Sequence, residues 1–375
     1  MKITLINMHV LNALKIIPSN SIDCIITSPP YLGLRSYKGA ETIWGGDINC
    51  KHDFITESYH KDGEGNINTG ALSNSNKQFK ELNIKRSTCV ICGAWLGQLG
   101  HEPTYQEYIE HLMLITKDLK RVLKPTGTLF WNIADSYVGG HKGGSIYNKN
   151  SKISKTDDIP QIKQGRPQSK VNGISEKSLI MIPERFAISM IEDGWILRNK
   201  IIWEKINPLP VPFKDRLKNR WEYVFFFTKS KKYYFNLDRV RTPYKNSSIK
   251  RSKYKLRSLY INNQNYIKPA TNLINTVKGV NPGDVIATSL GERNKTAHCA
   301  VYPQKLIEPL LKMGCPEQGV VLDPFAGSGT TGIVAKKYNM SSILIEISTE
   351  YCKDIKKRIH WGNALDIDWE EINNK

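Results

Sequence analysis

Three groups of residues in this chain have types and spacings suited to chemistry. The first is VVLDPFAGSGTTG, residues 320–332. Val320, Val321 and Leu322 read as a short buried strand that Asp323 and Pro324 end. Gly327 and Gly329 permit a tight turn and a close backbone approach to a ligand, and Thr330 and Thr331 open a helix. The next strand, expected over residues 342–347, carries Glu346 near its end. An acidic side chain about 20 positions past such glycines is placed to accept hydrogen bonds from ribose hydroxyls. Together these make a nucleotide-type pocket at the carboxyl end of a parallel strand. Its candidate lining is Asp323, Pro324, Phe325, Gly327, Ser328, Gly329, Thr330 and Glu346. It is neither a GxGxxG dinucleotide turn nor a phosphate loop, since no lysine follows Gly329. A purely structural strand-to-helix turn is the alternative.

The second group is TSPPY, residues 27–31. The apolar strand through Ile22, Ile25 and Ile26 runs into it, and two prolines stop that strand and stiffen the loop. The Ser28 hydroxyl and the carbonyls of Ser28 and Pro29 become fixed acceptors, Pro30 holds the turn, and Tyr31 supplies a flat ring. A planar base with an exocyclic amine fits this set. A proline-rich turn with a packing tyrosine is the alternative. The third group is Cys50-x-His52 with Cys89-x-x-Cys92-Gly. It has the ligand types and short local spacings of a tetrahedral zinc site, with a long polar gap between its halves. Four reduced, unligated side chains are the alternative, and a thioredoxin-like redox pair lacks its βαβ setting.

These residues need a sheet and helices to position them. Residues 103–124 carry Ile109, Leu112, Met113, Leu119, Val122 and Leu123 at helical spacing, so a helix is expected there, ended by Pro125-Thr126-Gly127. Strands are expected from Thr128 to Ile133 and from Trp195 to Trp203, and a helix from Ile182 to Ile191. EYVFFFTKSKKYYF, residues 222–235, reads as two strands joined by a basic turn. Asp135 lies at a strand end, where it either lines the cleft or caps a helix. Residues 139–178 are rich in Gly, Lys, Ser and Gln and read as a loop. Pro303 opens a further helix and Ser348 caps the last one. Arg251, Lys253, Tyr254, Lys255 and Arg257 lie in a stretch that also holds Arg239 and Arg241. Cations interleaved with aromatics suit phosphate contact and base stacking, and a solvated loop is the alternative. The Pro-rich stretch with Lys214, Arg216, Lys218 and Arg220 is a further candidate for facing DNA.

Lys and Arg number 54 against 35 Asp and Glu, a formal charge of +19. That excess favours a polyanionic partner, nucleic acid before anionic membrane. No apolar run approaches the ~18 residues of a membrane span, and residues 1–20 lack a signal-peptide core. Seven cysteines, an odd number, argue against a disulfide framework and for a reducing cytoplasm.

TSPPY and DPFAGSGTTG together closely resemble the motifs of the N4-cytosine/N6-adenine amino-DNA methyltransferases. Their order, catalytic loop first, is similar to the permuted beta class, and the likeness spans most of the chain. The resemblance implies an α/β fold with a doubly wound, mostly parallel sheet of the Rossmann-like kind, S-adenosylmethionine as cofactor and double-stranded DNA as substrate. Residues 1–37 would carry the catalytic loop, residues 38–100 the Cys/His insert whose spacing suggests a structural zinc, and residues 101–238 the rest of the catalytic half. Residues 239–278 would be the target-recognition segment and residues 279–375 the cofactor half. The insert, with CGAWLGQLGHEPT at its end, is similar to one in related methyltransferases of phages and prokaryotes. Ser28 matches the serine form more usual for cytosine-N4 enzymes, so N4 of a flipped cytosine is the expected target and N6 of adenine the alternative. His9 departs from the family's usual aspartate, an adenine contact. A cognate restriction endonuclease and the oligomeric state stay open.

Overall fold

The computed structural model describes residues 1–33, 37, 40–47, 49–57, 60–61, 67–68, 86–139, 173–208, 214–247, 279–289, 302–360 and 368–373. The basic segment around Arg251, Lys253, Tyr254, Lys255 and Arg257 lies outside them, as do residues 140–172.

The chain opens with β1 (Lys2–Asn7), α1 (Val10–Ile16) and β2 (Ile22–Thr27). The insert adds β3 (Thr42–Trp44), β4 (Phe54–Glu57), β5 (His60–Lys61), β6 (Ile67–Asn68), β7 (Arg86–Cys89) and β8 (Trp95–Gly97). Then come α2 (Tyr105–Val122), β9 (Leu123–Ile133), α3 (Ile182–Glu192), β10 (Ile196–Lys205) and β11 (Trp221–Thr228). The last part holds β12 (Val285–Thr288), α4 (Gln304–Gly314), β13 (Val320–Asp323), α5 (Thr330–Lys337), β14 (Ser341–Ile345), α6 (Thr349–His360) and β15 (Asp368–Asn373).

Nine strands form one sheet in the order β12-β10-β11-β9-β2-β13-β14-β1-β15. From β9 to β15 every pairing is parallel. β11 is antiparallel to both β9 and β10, and β12 is parallel to β10. This is the expected doubly wound α/β arrangement. Side chains alternate between the two faces of the sheet. Ile25, Leu129, Trp131, Phe225 and Phe227 pack with α1, α2 and α3. Cys24, Ile26, Phe130, Val224 and Phe226 pack with α4 and α5. A third cluster sets Ile3, Leu5 and Leu344 against Cys352, Ile355 and Ile359 of α6.

Chain order across the sheet locates the cleft. From β2 the connection through α2 leads outward to β9, whereas from β13 the connection through α5 leads the other way to β14. The order reverses between β2 and β13, and ligands in open α/β sheets bind at the carboxyl ends beside such a point. Both chemically loaded loops leave from those two ends.

The helix α2 is fixed at its start by a capping box. Thr104 Oγ1 accepts from the Glu107 N–H at 3.2 Å, and Glu107 Oε2 accepts from the Thr104 N–H at 3.0 Å, which satisfies two otherwise orphaned donors. Its buried face is Tyr108, Leu112, Ile115, Leu119 and Val122, each aliphatic side chain contributing about 1.5–3 kcal/mol by leaving water.

Two local expectations change, one pair of alternatives is decided and one strand is new. The strand after α2 starts at Leu123 rather than Thr128, and its register against β2 slips between Ile22 and Cys24. Lys124–Gly127 are therefore accommodated as a bulge in the strand instead of a helix terminator. Residues 222–235 hold one strand, β11, which ends at Thr228, and not a hairpin. Both edges of β11 are already taken by β9 and β10, so Tyr234 N–H donates to the Thr126 carbonyl at 2.8 Å and Asn236 N–H to that of Met313 at 2.8 Å. Asp135 is a cap: it accepts the N–H groups of Met181 and Ile182 at 3.0 Å each, at the start of α3. The last strand, β15, has no counterpart in the sequence reading and pairs along β1.

Candidate active site

Asp323 ends β13 fully buried and its two oxygens collect four donors. Oδ1 accepts from Thr27 Oγ1 at 2.9 Å and Phe325 N–H at 3.1 Å. Oδ2 accepts from Tyr302 Oη at 2.7 Å and Thr331 Oγ1 at 2.6 Å. Burial raises the carboxyl above its ordinary range even though all four donors favour the charged form. The bond from Thr27 matters most for the site. It ties the residue before Ser28 to the residue before Pro324, across the point where strand order reverses.

Past Asp323 the chain turns through Gly327 at φ 54° and Gly329 at φ 78°, left-handed backbone that glycine adopts without a Cβ penalty. Glu346, one residue beyond β14, closes the turn. Its Oε2 accepts the Gly327 N–H at 2.8 Å and its Oε1 accepts the Ser348 N–H at 2.8 Å. Burial, with a smaller contribution from the Asp323 charge, pushes the Glu346 carboxyl up to about 7. Asn7 steadies the same corner by donating to the carbonyls of Glu346 and Ile347 at 2.9 and 3.0 Å. Pro324 and Phe325 begin the turn, and Phe325 packs partly against the core on the α2 face. The Ser328 carbonyl accepts from Arg358. The Thr330 hydroxyl, at the first position of α5, is buried with no partner among the described residues, an unusual state for a buried polar group that a bound ligand would resolve.

On the other side of the reversal, β2 delivers Ser28, Pro29, Pro30 and Tyr31. Ser28 Oγ donates to Tyr31 Oη at 3.1 Å. Tyr31 Oη lies 2.8 Å from Asn132 Oδ1 and 2.9 Å from Glu222 Oε2. Its one proton serves those two acceptors by turns. Asn132 Nδ2 is spent on the Tyr223 carbonyl at 2.9 Å, and Glu222 is paired with Lys205. Burial first, and the Glu222 charge second, hold the Tyr31 phenol well above its ordinary range, so it stays neutral. The Pro30 carbonyl accepts from Tyr108 Oη at 2.8 Å, and the Leu32 carbonyl from Ser136 Oγ at 2.9 Å. Among the described residues no donor reaches the Pro29 carbonyl, which leaves it and the Ser28 lone pairs as acceptors for a ligand N–H.

Sequence reasoning named Ser28 and Tyr31 but missed Asn132, Glu222, Lys205 and Asn7. A signal existed for two of them. Asn132 interrupts the apolar run TLFWNI and Glu222 precedes YVFFF, and a polar side chain set in a buried strand needs a partner. His9 caps α1, with Nδ1 accepting from the Leu11 N–H at 3.4 Å, and burial pulls its imidazole down to about 4. Arg239 and Arg241 are turned inward: Arg239 donates to the Cys315 carbonyl at 3.2 Å, and Arg241 pairs with Asp238 at 2.7 Å.

Cys50, His52, Cys89 and Cys92 meet although long stretches of chain separate them. Their ligand atoms all lie within 4.8 Å of one another. None of the four sits in the cleft between β2 and β13.

A model of the DNA methylase family, N6_N4_Mtase, matches residues 22–357. The chain is 28% identical over 361 residues to the type II methyltransferase M.XycI of Xanthomonas campestris pv. cyanopsidis, covering 96% of this chain and 89% of that protein. It is 30% identical over 345 residues to the type II methyltransferase M.SmaI of Serratia marcescens, covering 91% and 85%. Among solved structures, the cytosine-N4-specific PvuII DNA methyltransferase has a similar fold, with a TM-score of 0.54 and 18% identity over 97% of this chain and 90% of that one.

Proposed function

The chain belongs to the N6/N4 DNA methylase family, and on that premise we propose that it transfers a methyl group from S-adenosylmethionine to N4 of cytosine in double-stranded DNA. The observation that carries this reading is the placement of the Ser28–Tyr31 loop beside the Asp323–Gly329 turn, at the ends of adjacent strands, locked together by the Thr27–Asp323 bond at 2.9 Å. A base held by the first loop meets a cofactor held by the second.

The residues fit the cofactor. Glu346 stands where ribose hydroxyls donate, the glycine turn admits a ligand against its backbone, and the buried Thr330 hydroxyl at the start of α5 is an unused hydrogen-bonding group among the described residues. S-adenosylmethionine, when bound, supplies an electrophilic methyl on a positively charged sulfur. The protein's part is positioning and electrostatics. The target cytosine leaves the duplex, because pairing buries its amine. Tyr31 stacks on the base, and Ser28 Oγ with the Pro29 carbonyl accepts the two amine N–H bonds, turning the nitrogen lone pair toward the methyl carbon. Ser28 is too weak a base to take a proton beforehand. The neutral Tyr31 phenol is no base either, so the amine proton leaves to solvent after transfer. What supports cytosine over adenine is the serine at position 28. The basic stretch with Arg251, Lys253, Tyr254, Lys255 and Arg257 supplies phosphate contacts and target recognition in this reading, and a restriction endonuclease of the same specificity is the partner enzyme it suggests.

The test is to expose DNA to the purified chain with labelled cofactor and identify the modified nucleoside by mass spectrometry. N4-methylcytosine is expected. N6-methyladenine would reassign the base and keep the machinery, and no methylated base at all would end the proposal.

Glu346 gives a pH prediction. The ribose hydroxyls favour the carboxylate, so binding lowers a group that stands at about 7 in the free protein. Cofactor binding below that pH must therefore release a proton. Affinity is expected to rise by up to about tenfold per unit as pH climbs toward 7 and to level off above it. Calorimetry in two buffers of different ionisation enthalpy measures both quantities. A flat affinity with no proton released would remove Glu346 from the cofactor site.

A further inference from the structure

The insert carries a feature that the methyl-transfer chemistry does not use. Cys50 Sγ lies 3.9 Å from Cys89 Sγ, and Cys92 Sγ lies 3.3 Å from His52 Nδ1. All three cysteines are free thiols. With zinc–sulfur bonds of about 2.3 Å, the edge of a tetrahedron between two sulfurs is about 3.7 Å, and the edge to an imidazole nitrogen is slightly shorter. Those two edges thus already match one metal-sized tetrahedron, and all four ligand atoms lie within 4.8 Å of one another. A cluster with several irons would need its thiolates farther apart than one such edge, and a soft three-sulfur, one-nitrogen set selects zinc among the common divalent ions.

The backbone is shaped to the same end. Cys89 and Cys92 sit on a tight turn closed by Gly93 N–H donating to the Cys89 carbonyl at 2.9 Å, with Gly93 at φ 73°. Gly46 faces the cluster. A Cβ there would come within 2.8 Å of Cys92 Sγ, so glycine leaves the space that the sulfur occupies. The small sheet β3-β8-β7-β4 has little interior of its own. Val90 and Ile91 beside the cysteines are 57% and 66% exposed. A module this small needs a staple, and a metal is the common one.

We propose that Cys50, His52, Cys89 and Cys92 bind one structural zinc ion, and that this zinc module backs the catalytic loop. The path from metal to loop is short. Trp44 of β3 and Trp95 of β8 both stack on His111, with ring centroids 4.8 and 5.6 Å away. His111 Nδ1 pairs with the fully buried Glu102 at 3.0 Å, and Glu102 accepts the Gly100 N–H at 2.7 Å. Gly100 then receives the Gly33 N–H at 2.7 Å and lies so close to the loop that a Cβ on it would stand 2.9 Å from the Tyr31 carbonyl. The closed four-ligand shell leaves no open position for substrate, so the metal acts on the loop only through this packing.

The experiment uses the full chain, purified from zinc-supplemented medium without chelator. Elemental analysis is expected to give about one zinc per chain. Growth with cobalt should give the intense visible absorption of a tetrahedral thiolate complex. Chelation at raised temperature should lower the thermal midpoint, and added zinc should restore it. Cys92→Ser should lose most of the zinc, and the chelation arm keeps the test readable where that variant does not fold. Metal content far below stoichiometry, iron in place of zinc, or a thermal midpoint indifferent to zinc would each overturn the site. The link to the loop rests on the methyl-transfer reading and has its own readout. Removing zinc should slow single-turnover methyl transfer severalfold while cofactor affinity changes little, since Glu346 and the glycine turn lie on other elements. Equal losses in both, or none in either, would overturn the link. A zinc-loaded chain without any activity would instead count against the methyl-transfer reading and leave the metal assignment standing.

Discussion

Asp323→Ala is expected to destabilise the fold by about 3–5 kcal/mol, well beyond the loss of one ligand contact. The carboxylate is the single acceptor shared by Thr27, Phe325, Tyr302 and Thr331. Deleting it leaves the Thr27 hydroxyl and the Phe325 N–H without this acceptor, while Tyr302 Oη and Thr331 Oγ1 keep only each other at 2.5 Å, and an unsatisfied buried polar group costs about 1–3 kcal/mol. Asp323→Asn keeps an acceptor at Oδ1 and meets rotatable hydroxyls with its amide, so it should lose about half as much. The bond to Thr27 adds a sharper test. Thr27→Val removes that donor alone, and its effect should couple with Asp323→Ala, which removes the acceptor, by about 0.5–3 kcal/mol in a double-mutant cycle, as contacting residues do. Urea denaturation reads all five proteins. An alanine variant within about 1 kcal/mol of wild type, inside the ordinary range for a single substitution, would mean that Asp323 is not the joint between the two halves of the site.

The second large effect concerns the chemical step. Ser28→Ala should slow single-turnover methyl transfer by about 10–100-fold, which at 1.36 kcal/mol per decade is the strength of one or two aimed hydrogen bonds. DNA and cofactor affinities should change much less, because aiming the amine matters most in the transition state. Tyr31→Ala removes a stacking face worth about 1–3 kcal/mol for an unpaired base. Stacking alone would leave Tyr31→Phe silent. The hydroxyl, however, is held between Ser28, Asn132 and Glu222, so Phe should lose part of the rate by leaving Asn132 Oδ1 without its donor and freeing the Ser28 rotor. The expected order of rates is wild type, Phe, then Ala. Wild-type rates in both Ser28→Ala and Tyr31→Ala, with both ligands saturating, would move the chemistry elsewhere in the chain.

What the sequence determined by itself is what local spacing encodes. DPFAGSGTTG marks a strand, a left-handed turn and a helix start, because glycine adopts the backbone at positions 327 and 329 without a Cβ penalty. TSPPY marks a stiff loop, because proline cannot continue a strand. CxH and CxxC mark ligand pairs. Amphipathic spacing located α2 and α4, and with the two motifs it made the fold class legible.

Tertiary structure alone decided which elements are neighbours. Thr27 and Asp323 lie far apart in the chain and meet only because β2 and β13 are adjacent strands. That adjacency makes Asp323 a hub between the two loops. Asn132 and Glu222 reach Tyr31 for the same reason: β9 and β11 pair antiparallel, so the carboxyl end of β9 and the amino end of β11 lie together beside the loop. Residues 229–236 failed to pair as a second strand because the edge they needed was filled, a fact about the sheet that no local window contains. The two halves of the Cys/His set are likewise joined by the pairing of β4 with β7, which sets Phe54 opposite Cys89 and brings His52 to Cys92. Spacing names groups that are able to do chemistry, and strand order determines which of them share a site, since a hydrogen bond or a metal bond acts over about 2–3 Å whatever the distance along the chain.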